Sequence, residues 1–188
     1  MRKIIRDTGP VRVSRRPDVC LYLCKSIVSQ QLSTKVAAVI ERRLSDLLPP
    51  GASTAEAILS IPDQKLRSIG LSAAKSSYLH NVARFFSELT ITDATFRNME
   101  DESVIELLTG IKGVGRWTAE MTLLFSLGRK DVFSTGDYGI QQSFASAYRL
   151  PATDRKRLVA SMEELSKAWS PYRSYACLHL WRYRDLGS

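Results

Sequence analysis

Apolar residues recur at helical spacing along nearly the whole chain, and this periodicity limits the fold more than any other feature. They lie one turn apart within residues 19–31 and again within 34–48, where Pro49 ends the second segment. No stretch shows the alternation of apolar and polar residues that indicates a β-strand. The sequence therefore predicts an all-α fold of about ten helices.

Capping and breaking residues predict several helix boundaries. Ser53 and Glu56 have the spacing of a capping box and predict a short helix that follows them. The apolar segment 116–127 is predicted to be one continuous helix. Pro171 is predicted to occupy the first position of the last helix, and residues 1–16 are expected to precede the first one.

The basic residues are concentrated at the two ends of the chain. With 27 Lys and Arg against 19 Asp and Glu, the formal net charge is +8. Residues 1–50 hold ten basic and four acidic residues, and residues 151–188 hold seven and four. This distribution favours an anionic partner such as nucleic acid, although a solvated basic surface is the alternative.

Several classes of protein are excluded by composition. No apolar run approaches the roughly 20 residues of a membrane-spanning helix, and the first residues lack the apolar core of a signal peptide. The 3 cysteines are sparse, which indicates reduced thiols inside a cell. His80 and His179 show no ligand spacing, so a zinc site is not expected.

The most informative segment is a glycine-rich turn between two predicted helices. Glycines flank an apolar residue in Gly113-Val114-Gly115, and an apolar helix follows. Glycine lets another molecule approach the backbone closely, so the amides of this turn are candidates to bind a DNA phosphate, with Lys112 and Arg116 attracting it. Val114 is expected to insert into the core. A turn without any ligand is the alternative.

With these motifs, the sequence resembles the helix-hairpin-helix (HhH-GPD) DNA glycosylase superfamily, and within it the branch of DNA-3-methyladenine glycosylases of the second type. The resemblance lies in residues 27–34, 110–119, 131–139 and 169–181, in the family's order. It implies a single domain over 1–188, made of two helical lobes with a cleft between them and a hairpin at about 108–119. The N-terminal helices are expected to pack with the C-terminal ones, and the hairpin to share the other lobe with the catalytic residue. The N-terminal β-rich domain of some members is not expected.

The resemblance places the catalytic acid of the family at Asp137. A carboxylate there would stabilise the positive charge that develops on deoxyribose as the N-glycosidic bond breaks. The alternative is that Asp137 only caps the following helix. Asp131 is the rival acid, and Gly136 stands where related enzymes often carry a second one.

The residue two positions after the second hairpin glycine distinguishes two mechanisms within the family. Bifunctional relatives carry a nucleophilic lysine there, whereas this chain has Trp117. The resemblance therefore implies a monofunctional enzyme in which water attacks the sugar, without lyase activity. It requires no cofactor and no iron–sulfur cluster, since the four clustered cysteines of some relatives are absent from the sequence.

Aromatic residues are expected to bind the damaged base. By resemblance, Trp117 and Trp181 line a pocket that suits a cationic methylated purine through cation–π stacking. Met121 is expected to complete the pocket wall, with Tyr138 and Tyr175 as weaker candidates. Packing of both tryptophans in the core is the alternative.

A second set of residues is expected to contact DNA while the base is flipped out of the duplex. The resemblance places the side chain that fills the resulting gap at Gln31, or at Leu32 if the register differs by one. Lys75 is expected either to reach a phosphate or to be solvated. The complete predicted DNA-binding set is Gln30, Gln31, Leu32, Ser33, Lys75, Lys112, Gly113, Val114, Gly115, Arg116 and Thr118.

The family also commonly holds a monovalent cation at the hairpin, and the resemblance implies Na⁺ or K⁺ on the backbone carbonyls of Thr109, Ile111 and Val114. We expect a monomer that acts on double-stranded DNA containing a damaged base, in the cytoplasm or nucleus. Three other functions stay open: a glycosylase for mismatched or oxidised bases, a catalytically silent binder of DNA lesions, and a helical scaffold that binds no nucleic acid.

Overall fold

The computed structural model describes residues 1–186 and contains helices but no strand among them, which confirms the all-α prediction. Eleven α-helices are joined by a π-helical turn at Thr122–Ser126 and a 3₁₀ turn at Lys167–Trp169. The α-helices are α1 (Arg2–Thr8), α2 (Val19–Ser29), α3 (Thr34–Leu47), α4 (Thr54–Ser60), α5 (Asp63–Ser68), α6 (Ala73–Glu88), α7 (Asp101–Thr109), α8 (Arg116–Met121), α9 (Tyr138–Tyr148), α10 (Arg155–Ser166) and α11 (Arg173–Leu186).

Polar side chains start most of the helices where the sequence places them. Ser53 caps α4: its hydroxyl accepts the backbone N–H of Glu56 at 3.3 Å and donates to the Glu56 carboxylate at 2.8 Å. Ser33 and Ser72 cap α3 and α6 by accepting the backbone N–H groups of Val36 and Lys75. These local hydrogen bonds satisfy donors that a helix cannot pair internally.

Three expectations about the helices are wrong. The segment 116–127 is not one α-helix, since α8 ends at Met121 and a π-helical turn follows. The Thr118 carbonyl accepts both the backbone N–H and the hydroxyl of Thr122, and such competition often bends a helix. Pro171 lies before α11 in a turn that Tyr172 N–H and Trp169 O close, and residues 1–16 contain the unpredicted α1.

The chain divides into two compact units. The central unit is Arg16–Thr122, and the terminal unit combines Met1–Arg15 with the residues from Leu123 onward. Asp137 therefore belongs to the terminal unit and the hairpin to the central one, so the expectation that they share a lobe is wrong. The expectation that the N-terminal part of the chain packs with the C-terminal helices is confirmed for residues 1–15 alone.

The terminal unit packs α1, α9, α10 and α11 around one apolar cluster. Ile4 of α1 is buried in it, and Thr8 Oγ1 lies 2.6 Å from Nδ1 of His179 on α11. These contacts explain α1, which is too short to be stable alone and depends on tertiary packing. The core of this unit is Ile4, Leu124, Ile140, Phe144, Ala145, Leu158, Met162, Cys177 and Leu180.

The central unit contains α2 to α8, with α2 and α4 both packed against α6. Phe96 is fully buried although it lies in a polar stretch that the sequence places in a loop. Nearby, both carboxylate oxygens of Asp93 accept N–H groups at the start of α2, from Asp18 at 2.9 Å and Val19 at 3.0 Å. The hairpin thus belongs to a unit that has its own buried apolar residues.

Within residues 1–186, no helix combines the length and apolar character that crossing a membrane requires. The same residues hold no cluster of three metal-ligating side chains.

Candidate nucleic-acid interface and catalytic acid

The hairpin has the compact turn that the sequence predicts. Val114 N–H donates to Ile111 O at 2.9 Å, and the Val114 side chain is buried as expected. Gly113 has a φ of +110°, a region that suits glycine, and a Cβ there would lie 2.4 Å from Cγ of Tyr78. At Gly115 a Cβ would meet no atom within 4 Å, so this side of the turn is open.

Two residues of α8 that are predicted to bind DNA are paired or buried within the protein. The Arg116 guanidinium donates to both carboxylate oxygens of Glu102, at 2.7 and 2.9 Å, and to Glu120 at 3.1 Å. The hydrogen bond to Glu102 raises the pKa of Arg116, and the two carboxylates offset its charge. Thr118 is only 3% exposed, so its side chain is buried, and contact of its backbone with DNA stays a prediction. Lys112 is exposed beside the turn.

The turn between α2 and α3 presents the two candidates for the inserted side chain. Gln31 and Leu32 are both exposed, and Gln31 has a φ of +57°. The side-chain amide of Gln30 donates to the carbonyl of Gly113 at 3.4 Å, which connects this turn to the hairpin. Ser33 Oγ accepts Val36 N–H at 3.4 Å and begins α3. The choice between Gln31 and Leu32 stays a prediction.

Lys75 lies against the same turn. Its ammonium donates to Val28 O at 2.7 Å and Gln30 O at 2.6 Å, and partial burial lowers its pKa. It is therefore bound within the protein and not merely solvated, and contact of Lys75 with a phosphate stays a prediction.

Trp117 stands at a groove of about 570 Å³ within the central unit. Its side chain is 44% exposed, so the alternative that it only packs in the core is wrong. Met121, one turn later, is buried and does not line the groove. The lining residues are Arg16, Tyr22, Lys25, Ser26, Ser29, Gln30, Gln31, Glu41 and Trp117.

Two functional candidates in this groove were missed in the sequence. The Glu41 carboxylate accepts from Ser29 Oγ at 2.6 Å, which fixes one oxygen, and Tyr22 lines the same groove. Burial raises the pKa of Tyr22 to about 12, so its phenol stays protonated and can donate. The signal for Tyr22 was a stripe of residues one turn apart on α2, at Tyr22, Ser26 and Ser29, beside the apolar face, whereas Glu41 lies on α3 outside this stripe.

Asp137 is held rigidly at the start of α9. Its Oδ1 accepts Ile140 N–H at 2.8 Å and the Trp181 indole N–H at 2.9 Å, and the residue is 8% exposed. Trp181 in turn stacks on Phe125, with ring centroids 5.7 Å apart. The capping role of Asp137 is thus confirmed. Two hydrogen-bond donors orient its carboxylate, and one of them, the Trp181 indole, is itself held by packing on Phe125.

Close packing around this carboxylate favours glycine at position 139. A Cβ on Gly139 would lie 3.2 Å from Asp137 Oδ1, 3.2 Å from Trp181 Cδ1 and 2.5 Å from a guanidinium nitrogen of Arg184.

The two tyrosines predicted to contact the base differ in exposure. Tyr138 is 72% exposed, and Tyr175 is half-buried with its ring against Tyr172. Contact of either tyrosine with a base stays a prediction.

The rival acid, Asp131, has a structural role. Its Oδ1 accepts Arg173 Nε at 2.8 Å, and its Oδ2 accepts another guanidinium N–H of Arg173 at 2.9 Å and Ser170 Oγ at 2.8 Å. These contacts join the loop after the π-helical turn to the start of α11. The Arg173 hydrogen bond is the main reason why the pKa of Asp131 is lowered from 3.8.

We expect Asp131→Asn to lower the free energy of unfolding at pH 7 by about 2 kcal/mol, because it removes a charge-assisted pair. A carboxyl with a lowered pKa in the folded state stabilises the fold above its unfolded pKa of 3.8 and loses that effect as pH falls through the folded value. Urea titrations at pH 7 and below pH 3.8 should therefore show the difference shrinking with acidity. Equal differences at both pH values would contradict this account.

The hairpin's backbone chemistry suits the cation that the resemblance implies. Carbonyl oxygens are hard ligands, and that of Ile111 keeps a second lone pair beside the hydrogen bond from Val114 N–H. Thr109 ends α7, where carbonyls lack partners within the helix. Binding of Na⁺ or K⁺ by Thr109, Ile111 and Val114 stays a prediction.

Comparison with known proteins identifies relatives of this arrangement. Residues 24–171 match the model of the HhH-GPD superfamily of base excision DNA repair proteins. A curated relative, DNA-3-methyladenine glycosylase 1 of Schizosaccharomyces pombe, is 33% identical over 98% of this chain and 80% of its own length.

Two solved structures have a similar fold. A DNA-3-methyladenine glycosidase from Bacillus halodurans matches with a TM-score of 0.82 and 36% identity, over 97% of this chain and 82% of the other. The 3-methyladenine DNA glycosylase of S. pombe in complex with abasic DNA matches with a TM-score of 0.80 and 30% identity, over 96% and 89%.

Proposed function

Because the chain belongs to the HhH-GPD superfamily of base excision DNA repair proteins, we propose that it is a monofunctional DNA glycosylase that excises alkylated bases of the 3-methyladenine and 7-methylguanine class. The observation that carries this is Asp137, whose Oδ1 is held by Ile140 N–H and the Trp181 indole. A carboxylate fixed near the sugar would stabilise the positive charge that develops as an N-glycosidic bond is hydrolysed.

The reaction follows from the charge that bond cleavage creates. As the bond between C1′ and the base nitrogen breaks, its electron pair leaves with the base and positive charge develops on the deoxyribose. The Asp137 carboxylate stabilises that charge by its position. Water then adds its oxygen to C1′ and loses a proton, which leaves an abasic site.

The substrate class is supported by the exposed ring of Trp117. Alkylation at N3 or N7 gives the purine a positive charge, which favours stacking on an aromatic face. The charge also makes the base a good leaving group, so a strong general acid is not needed. The Glu41 carboxylate in the same groove adds attraction for a cation.

The proposed partner is double-stranded DNA that contains a damaged base. The open side of the hairpin at Gly115 offers backbone amides to a phosphate, and the exposed turn at Gln31 and Leu32 offers a side chain to fill the gap left by the base. The net charge of +8 supplies attraction that weakens as salt rises.

The test is release of free base from duplexes that each carry one lesion. We expect release of 3-methyladenine and 7-methylguanine, slower release of the neutral base hypoxanthine, and none of 8-oxoguanine. Tight binding of the alkylated duplex without release would instead support a silent lesion binder. Preferred release of oxidised or mismatched bases would contradict the proposed substrate class.

The absence of a lysine at position 117 has its own test. We expect borohydride to trap no covalent adduct between protein and DNA, because Trp117 offers no amine to form a Schiff base. Electrophoresis after the reaction detects such adducts, and a bifunctional glycosylase serves as the positive control. A trapped adduct would show that another amine of the protein attacks the sugar.

A further inference from the structure

Lys75, near the start of α6, caps the C-terminus of another helix. Its Nζ donates to Val28 O at 2.7 Å and Gln30 O at 2.6 Å, at the C-terminus of α2 and 45 residues or more away in sequence. The last carbonyls of an α-helix lack partners within it, and a cation placed there both satisfies them and interacts favourably with the helix dipole. Lys75 therefore satisfies carbonyls at the end of α2 and stabilises this helix terminus.

The residue that follows this end has an unusual backbone conformation. Gln31 has a φ of +57°, which costs energy for a residue other than glycine and persists where surrounding contacts enforce it. Before it, Lys75 holds the Gln30 carbonyl and the Gln30 side chain reaches Gly113 O. After it, Ser33 caps α3. The Gln31 side chain thus projects from a turn that is held on both sides.

We propose that Lys75 is a positioning residue for base flipping, which holds the turn of residues 30–33 in the conformation that inserts a side chain into the duplex. This rests on the proposed function, because an inserted side chain matters only when a base leaves the stack. Lys75 acts here through carbonyls inside the protein and not through a DNA phosphate.

The experiment compares Lys75→Met with Lys65→Met, which removes the same charge from an exposed site on α5. In Lys75→Met we expect amide hydrogen exchange at Gln30 and Leu32 to accelerate about tenfold or more in the free protein. Single-turnover base release should slow about tenfold. The salt dependence of binding to undamaged duplex should stay unchanged, and Lys65→Met should alter none of the three.

A restored ammonium provides the rescue. Lys75→Cys should share the defects of Lys75→Met, and aminoethylation of the new thiol, which rebuilds a side chain of lysine length, should restore both exchange protection and rate. The native cysteines are buried, so the half-buried position 75 is the accessible one. If these variants do not fold, the ¹⁵N resonance of the Lys75 ammonium in the unmodified protein provides the test, because it should be unchanged when DNA binds.

The outcomes separate this inference from the proposed function. A salt slope reduced by about 1 with unchanged amide exchange would assign Lys75 to a phosphate and overturn the inference. So would an ammonium resonance that shifts on binding undamaged duplex. Failure of the unmodified protein to release any base would contradict the proposed function alone, since the exchange comparison does not depend on catalysis.

Discussion

Asp137→Asn should slow single-turnover release of 7-methylguanine by about 10²-fold or more, because the neutral amide no longer stabilises positive charge on the sugar. The substitution keeps an oxygen that can accept from Ile140 N–H and the Trp181 indole, so the helix cap and the packing survive. Asparagine is as good an N-cap as aspartate. The expected loss is therefore one of catalysis and not of folding.

Asp154→Asn is the matched control for this result. Asp154 caps α10 by accepting Arg157 N–H at 2.9 Å, so both substitutions make the same change at a helix start. We expect thermal unfolding of the two variants to differ little from the unmodified protein, with activity lost in Asp137→Asn alone. Release of methylated base at a near-normal rate by Asp137→Asn would reduce Asp137 to a structural cap.

The second large effect is expected in the hairpin, where Gly113→Ala should lower the free energy of unfolding by about 3 kcal/mol or more. A Cβ would enter the space of Tyr78, at 2.4 Å from Cγ and 2.7 Å from Cβ, and these atoms cannot move aside as the end of a flexible chain could. The φ of +110° adds backbone strain. Urea denaturation measures the loss.

Gly115→Ala is the control for Gly113→Ala within the same turn. Its φ is −94° and a Cβ would meet nothing within 4 Å, so we expect stability to fall by about 1 kcal/mol or less. The added methyl would instead stand on the open side and weaken binding to duplex DNA. Unchanged affinity would show that phosphate does not approach at Gly115. Repeating Gly113→Ala in a Tyr78→Ala background should recover the part of the loss due to overlap and leave the part due to φ.

Features with a local cause could be predicted from the sequence. The Ser53 and Glu56 cap, the buried Val114 and the helix that starts after Asp137 each depend on residues within a turn of one another. Helix α1 and the burial of Phe96 could not be predicted, because both depend on segments distant in the chain. Helical propensity alone is a weak guide for such short pieces.

The candidate site shows the same division. Asp137 and Trp117 could be predicted as site residues because motif spacing marks them, whereas Tyr22 and Glu41 reach the groove only through the packing of α2 and α3. Arg116 has the right charge and place for a phosphate, but Glu102, 14 residues earlier, pairs with it. The spacing of residues in the sequence shows which charged groups a segment contains. Whether such a group is paired depends on its neighbours in the folded structure.

The division of the chain has a consequence for the order in which the protein forms during synthesis. The central unit is one continuous segment and can complete its contacts as soon as Thr122 has left the ribosome. The terminal unit must wait, because Thr8 meets His179 only after 171 further residues have been made. Helix α1 therefore lacks its packing partners on α11 through most of translation, and Ile4 can be buried in the core of the terminal unit only after α11 has been made.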